Sequence, residues 1–498
     1  MTSWPYDWED QPDRSAYTTR DSIDYIWHGL GLPAQARDFL HLDLPGEDQK
    51  ALPSSFKIGH LAQASLGLSA LSAALVHSHI NQSTEPTKIS VPLKHAAVEF
   101  RSEHHYLLDG KPAPSLWGPL GGLHKTADGY VRVHDNFLNH RKAACEILGL
   151  DVETATKDDF GQKALQWKAL ELEKAGMEKG AVIFALRSYQ EWENSAPGRH
   201  IMAGHSFPVR VNRIGPQGEV PHSIPEHFPM KADRCLRGVR VLELSRVIAA
   251  PVAGKTLAAH GADVLWVTSP NLPSLPGLDI DVSRGKRTIQ LDLDTAEGTE
   301  ALHSLARDAD VFIQSYRPGS LAARGFRPRA LAEENPGIIY ATLSAWDEGH
   351  GEGPWSNSRG FDSMVQNASG MNVSEAEHFG DPSIPARALP VQALDHAAGY
   401  LLATGINAAL YRRATEGGSW EVSVSLAGVM KYLRSLGQFP GRDGFECEPL
   451  GDISSYLETR KTDFGELSAV RHSASVDGKE PGWEAMPKKL GSDEAKWL

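Results

Sequence analysis

Asp395 lies in Val391-Gln392-Ala393-Leu394-Asp395-His396-Ala397-Ala398-Gly399, an acid at the start of a run of small residues that predicts a helix. Taken alone, an aspartate in that position reads as an N-cap, one of its favoured places. A carboxylate at a helix N-terminus is also expected to stay ionised, because backbone N–H groups and the helix dipole favour its charge. His396 follows it, rotated away by one helical residue, and is expected to make a polar contact on the helix surface. The paired glycines Gly121 and Gly122 close a Gly/Pro loop that permits close backbone approach and could form a lid. The three cysteines, Cys145, Cys235 and Cys447, contain no CxxC pair, so neither a zinc knuckle nor a disulfide framework is expected.

The elements that must position these residues are most orderly from Leu236 onward. Segments 239–244, 264–267, 288–293, 310–313 and 338–343 read as strands, with helices expected over about 251–260 and 296–307. Alternating strands and helices predict an α/β fold with a doubly wound parallel sheet. Its first strand-to-helix turn, 245–251, has no GxGxxG, and the chain has no GxxxxGK[ST]. The sheet is therefore Rossmann-like without a nicotinamide or P-loop signature. Upstream, a small-residue helix over 61–76 precedes a strand at 88–91, a turn into a strand at 126–133 and helical sequence over 137–175. Residues 214–230 are proline-rich and read as a linker. The series of small-residue helix, polar turn, strand and helix recurs from His396 to Leu426, which predicts an internal duplication.

The chain has 498 residues, 41% of them hydrophobic, enough for about two to four domains. A net charge of −13 argues against nucleic acid as a partner. The first ten residues lack the apolar core of a signal peptide, and 61–76 is too short to span a bilayer. A cytoplasmic protein is expected, with mitochondrion or peroxisome as alternative locations, and with neither a membrane partner nor a metal.

Seven stretches between 236 and 370 resemble, in order and spacing, the class III CoA-transferases, the CaiB/BaiF group that includes formyl-CoA transferase and the α-methylacyl-CoA racemases. They are 236–247, 261–264, 284–288, 309–319, 335–340, Gly353-Pro354 and Gly360-Phe361-Asp362. The resemblance implies the fold of that family, a Rossmann-like sheet domain plus a smaller α+β domain. It also implies that Asp395 is a nucleophile that attacks a thioester carbonyl and forms an aspartyl intermediate. By the same resemblance Arg246, Val247, Ile248 and Ala249 lie beside CoA, Ser315, Tyr316 and Arg317 match a further CoA stretch, and Arg284, Lys286 and Arg287 suit the phosphates. Two departures weaken that phosphate site: Thr268-Ser269-Pro270 and 278–281 replace the family's usual residues.

The family pieces stand in an unusual order. Residues 1–213 read as a degenerate first half whose small α+β domain covers about 124–213, 214–235 as a linker, 236–440 as the sheet domain with Asp395, and 441–498 as a tail. Gly59 or His60 occupies the nucleophile position of the first half, leaving one catalytic aspartate per chain. The implied activity is acyl-CoA:carboxylate CoA transfer, with acyl-CoA and a small carboxylic acid as substrates, no permanent cofactor and a homodimeric assembly. Racemisation is the competing activity, but Phe361 stands where the racemase histidine would be, and a phenyl ring carries no exchangeable proton. A histidine from the N-terminal half, such as His60 or His124, could replace it. A CoA-binding protein without catalysis is the third reading.

Overall fold

The structure, a computed structural model, describes residues 13–115, 117–204, 207–214, 227–346 and 353–498. Most of the expected linker therefore lies outside the described residues.

The central sheet has seven strands in the spatial order Lys286–Gln290, Asp263–Thr268, Arg240–Leu244, Val311–Gln314, Ile339–Ser344, Ser419–Ser425 and Arg210–Ile214. The first six are parallel, and Arg210–Ile214 closes the edge antiparallel to Ser419–Ser425. Val241, Leu242, Val264, Leu265, Phe312 and Ile313 are all buried, as a sheet covered on both faces requires. The chain leaves the adjacent strands Arg240–Leu244 and Val311–Gln314 toward opposite edges. This arrangement is a topological switch point, where doubly wound folds bind ligands beyond the carboxyl ends of the strands.

Two long helices form the centre of the molecule. Ile58–Ile80 packs against Ala393–Glu416, and the Asn407 amide donates to the Ser69 carbonyl at 3.3 Å and the Ser72 hydroxyl at 3.1 Å. Ile58–Ile80 is longer than the expected 61–76. It is long and apolar enough to cross a bilayer, but its most apolar window is wholly buried in this fold. The helix Ala393–Glu416 also packs on Ala249–Ala259, and Gly399 is what lets it come so close. A Cβ there would sit 2.5 Å from the Ala249 carbonyl oxygen.

The expected domain boundaries cut across real pairings. The strand Arg210–Ile214 belongs to the central sheet. The tail strand Gly465–Val470 pairs with Leu107–Leu108, and Ser475–Val476 pairs with Thr87–Ser90. A separate core around Leu120, Val131, Phe160, Leu172 and Ile183 holds a three-stranded sheet and its helices together. Within the same chain this unit reaches the sheet domain, where Asn367 donates to the Phe184 carbonyl at 3.1 Å.

Candidate active site

A cavity of about 490 Å³ opens at the switch point. The loop after the first central strand contributes Arg246, Val247, Ile248 and Ala249 to its wall, and the loop after Val311–Gln314 contributes Ser315, Tyr316 and Arg317. Val247 holds φ at 75°, an unfavourable conformation for a β-branched side chain, which marks this loop as a strained turn in the cavity wall. Arg246 lies 4.8 Å from the Phe137 ring centroid and 5.6 Å from that of Tyr316. Asp395 lines the same cavity, four residues before Gly399 and so on the helix face that meets Ala249.

Asp395 is not the cap of its helix. That role falls to Asp362, at the start of the helix Asp362–Ala368, whose Oδ2 accepts the N–H groups of Leu394 at 2.7 Å and Asp395 at 3.0 Å. The Asp395 carboxyl is left with no hydrogen-bond partner among the described residues and is 6% exposed. Burial, the Asp362 carboxylate and Glu103 push it well above the ordinary carboxyl range. The expectation of a carboxylate held ionised by the helix dipole is thereby corrected, because the dipole is spent on Asp362. Burial pushes Asp362 up to about 6, against the pull of its N–H donors.

His396 is likewise not on a surface. Its Nε2 lies 3.0 Å from the Glu103 carboxylate, both residues are 1% exposed, and the ring stacks on Phe100 at 5.4 Å. The N-terminal half thus places the acid Glu103 beside His396, the residue after Asp395.

Arg284, Lys286 and Arg287 do not reach this cavity. Arg284 is buried, paired with Asp281 at 2.5 Å and donating to the Val470 carbonyl. Lys286 is buried within the sheet against Glu243 at 2.8 Å. Arg287 pairs with Asp263 at 2.8 Å. Each cation is already neutralised by a carboxylate, and the atypical stretch 278–281 supplies one of them. The sequence reading missed Arg324, Arg359, Phe137 and His140, which do line the cavity. Arg324 pairs with Asp294, but Arg246, Arg317 and Arg359 have no carboxylate partner among the described residues. The signal that could have found Arg359 is its place directly before Gly360-Phe361-Asp362. Gly121 and Gly122 are not in the cavity wall; their loop packs on Asp135, which accepts the Leu120 N–H at 2.9 Å.

Phe361 lines the cavity and stacks on His134, with ring centroids 3.8 Å apart and planes within 4°. His140 meets the same ring edge-on at 6.0 Å. Among the described residues, these two imidazoles approach Phe361. His60 instead lies 2.6 Å from the Ser22 hydroxyl, and His124 lies 2.7 Å from the Leu120 carbonyl.

Residues 236–437 match the family described as CoA-transferase family III. A "Probable fatty acyl-CoA transferase Rv3272" of Mycobacterium tuberculosis is 33% identical over 213 residues, 40% of this chain and 52% of the relative. The "Acetyl-coenzyme A transferase nodX" of Hypoxylon pulicicidum is 33% identical over 64% of this chain and 55% of its own length. An "Acyl-CoA transferase" of Gibberella moniliformis is 27% identical over 76% of this chain and 71% of its own. The chain thus spans about half the length of the first two. The crystal structure of a CAIB/BAIF family protein from Brucella suis aligns with 46% of this chain and 64% of its own, at 27% identity and a TM-score of 0.36. The segment that matches CoA-transferase family III is the one that carries the parallel sheet, the switch-point loops and Asp395.

Proposed function

We propose that this protein transfers CoA from an acyl-CoA to a free carboxylate, with Asp395 as the covalent nucleophile. One observation carries the reading: the Asp395 carboxyl lines the switch-point cavity with no hydrogen-bond partner among the described residues, while Arg246, Arg317 and Arg359, which have no carboxylate partner among the described residues, line the same wall. A carboxylate oxygen of Asp395 attacks the thioester carbonyl carbon, the C–O bond forms, the C–S bond breaks and CoA leaves as thiolate. The thiolate then attacks the aspartyl carbonyl of the mixed anhydride and the C–O bond to the donor breaks. The donor leaves as a free carboxylate, with CoA held on Asp395 as a thioester. The acceptor carboxylate displaces that thiolate to form a second anhydride. Attack of the thiolate on the acceptor's carbonyl gives the new acyl-CoA and frees Asp395, so the energy of the thioester is retained. Arg246, Arg317 and Arg359 receive the anionic groups of CoA, a role for which guanidinium is well suited. Asp395 must lose its proton before it attacks. Its raised proton affinity means that transfer rises with pH through the range where it ionises.

Racemisation would need a proton carrier on each face of the α-carbon. Phe361 offers none, so α-deuterium incorporation from deuterated water stays at the uncatalysed rate.

The test is incubation with acetyl-, octanoyl- and benzoyl-CoA, each with a free carboxylic acid, followed by hydroxylamine trapping and mass spectrometry of the peptide containing Asp395. A hydroxamate on Asp395 is expected. Wild-type turnover persisting in Asp395→Ala would sink the assignment.

A further inference from the structure

His140 stands at the third position of the helix Leu138–Leu148, in the unit that precedes the sheet domain, yet it lines the cavity that holds Asp395. It is 6% exposed, and neither ring nitrogen has a hydrogen-bond partner among the described residues. Its Nδ1 is fully sealed from solvent. A buried, unpartnered polar ring is costly unless a ligand or water meets it, and this one borders the cavity. Two aromatic rings fix its orientation. Phe137 meets it at 5.6 Å and 84°, and Phe361 at 6.0 Å and 67°. Phe361 is the residue before Asp362, and Asp362 holds the Asp395 N–H at 3.0 Å, so a short series of contacts links the imidazole to the nucleophile.

We propose, building on the transferase reading above, that His140 is a catalytic residue whose neutral ring N–H receives the thioester carbonyl oxygen as Asp395 attacks. As the C–O bond to Asp395 forms, the carbonyl π pair moves onto that oxygen, and His140 donates a hydrogen bond to it. The pair returns when the C–S bond breaks. No proton changes hands. Burial, Arg359, Arg246 and Arg317 lower the His140 imidazolium to about 4, so near neutral pH the ring keeps one N–H and one lone pair. A neutral donor of this kind suits a carbonyl that gains charge only in the transition state, and removing such a donor typically costs about a hundredfold or more in turnover.

The experiment measures single-turnover formation of the Asp395 adduct by wild type, His140→Phe and His140→Asn with acetyl-, octanoyl- and benzoyl-CoA. Phenylalanine keeps the aromatic packing and removes the N–H, while asparagine keeps an N–H donor. Thermal melts confirm that both variants fold. The expected result is a drop of about a hundredfold in the rate constant for His140→Phe at an unchanged half-saturating acyl-CoA concentration, with partial recovery in His140→Asn. Wild-type rates in a folded His140→Phe, or a loss confined to half-saturation, would overturn the role of His140 and leave the transferase reading standing. Failure of wild type itself to form an adduct with any of the three thioesters would overturn both.

Discussion

Lys57, which precedes the helix Ile58–Ile80, has φ −76° and ψ 55°, and Gln392, which precedes Ala393–Glu416, has φ −77° and ψ 65°. The third residue of one helix is His60 and of the other Asp395. Each helix leads to a strand with the same two kinds of neighbour. Thr87–Ser90 pairs parallel with Leu40–Asp43 and antiparallel with Ser475–Val476. Ser419–Ser425 pairs parallel with Ile339–Ser344 and antiparallel with Arg210–Ile214. The surroundings of the third residue are what differ. His60 is packed against Ser22, and burial lowers it to about 4. Asp395 looks into a cavity whose wall comes from loops at the carboxyl ends of parallel strands, whereas the sheet that the His60 helix leads into has three strands, Leu40–Asp43, Thr87–Ser90 and Ser475–Val476. A helix of the right shape positions a side chain; it takes the switch-point loops to give that side chain a substrate.

The sharpest way to break this comparison is to exchange the roles of the two positions. Asp395→Ala should lower transfer by about a thousandfold or more, as loss of a nucleophile does, while His60→Gln leaves turnover within a factor of two. Equal losses in the two variants would show that the helices share the work. His60→Asp should yield no trappable adduct. It should also cost about 3 kcal/mol in urea unfolding at pH 7.5, because it buries an unpaired carboxylate near Asp48 and Asp21. A hydroxamate on that residue would end the distinction.

A smaller effect separates the two sets of cations. Arg317→Ala should weaken CoA binding about tenfold by calorimetry, whereas Arg287→Ala, whose guanidinium is already held by Asp263, should leave it unchanged. The gentlest effect concerns stability. Native Asp395 keeps a proton that the unfolded chain gives up above the ordinary value of 3.8, so its burden on folding grows as pH rises. Asp395→Asn should therefore melt higher than wild type at pH 7. The gap should close toward pH 4 at about 1.4 kcal/mol per pH unit where the two states differ by one proton.

Much of the sheet was legible because buried parallel strands are nearly continuous apolar runs. The segments expected at 239–244, 264–267, 310–313 and 338–343 fall on observed strands within two residues. The strand expected at 288–293 starts two residues earlier, at Lys286, and the difference is instructive. A lysine reads as exposed, but a glutamate in a nearby strand can bury it, and Glu243 does. That pairing also removed Lys286 from the phosphate-binding candidates, as Asp281 and Asp263 removed Arg284 and Arg287. A sequence shows charges and not their partners. Asp395 could be found from its small-residue helix and family motif. His140 could not, since only the packing of the unit built around Leu120, Val131, Phe160, Leu172 and Ile183 onto the sheet brings it to the cavity.

The exchange of strands between the two halves sets a clock on synthesis. Ser473 donates its N–H to the Glu99 carboxylate, a partner 374 residues earlier in the chain. At a translation rate of roughly 5–20 residues per second, about 20 to 75 seconds separate their appearance. During that interval Thr87–Ser90 lacks the antiparallel neighbour that Ser475–Val476 later supplies, and the newborn chain presents an unpaired edge. That edge stays open until residues 475–476 have emerged and paired with it.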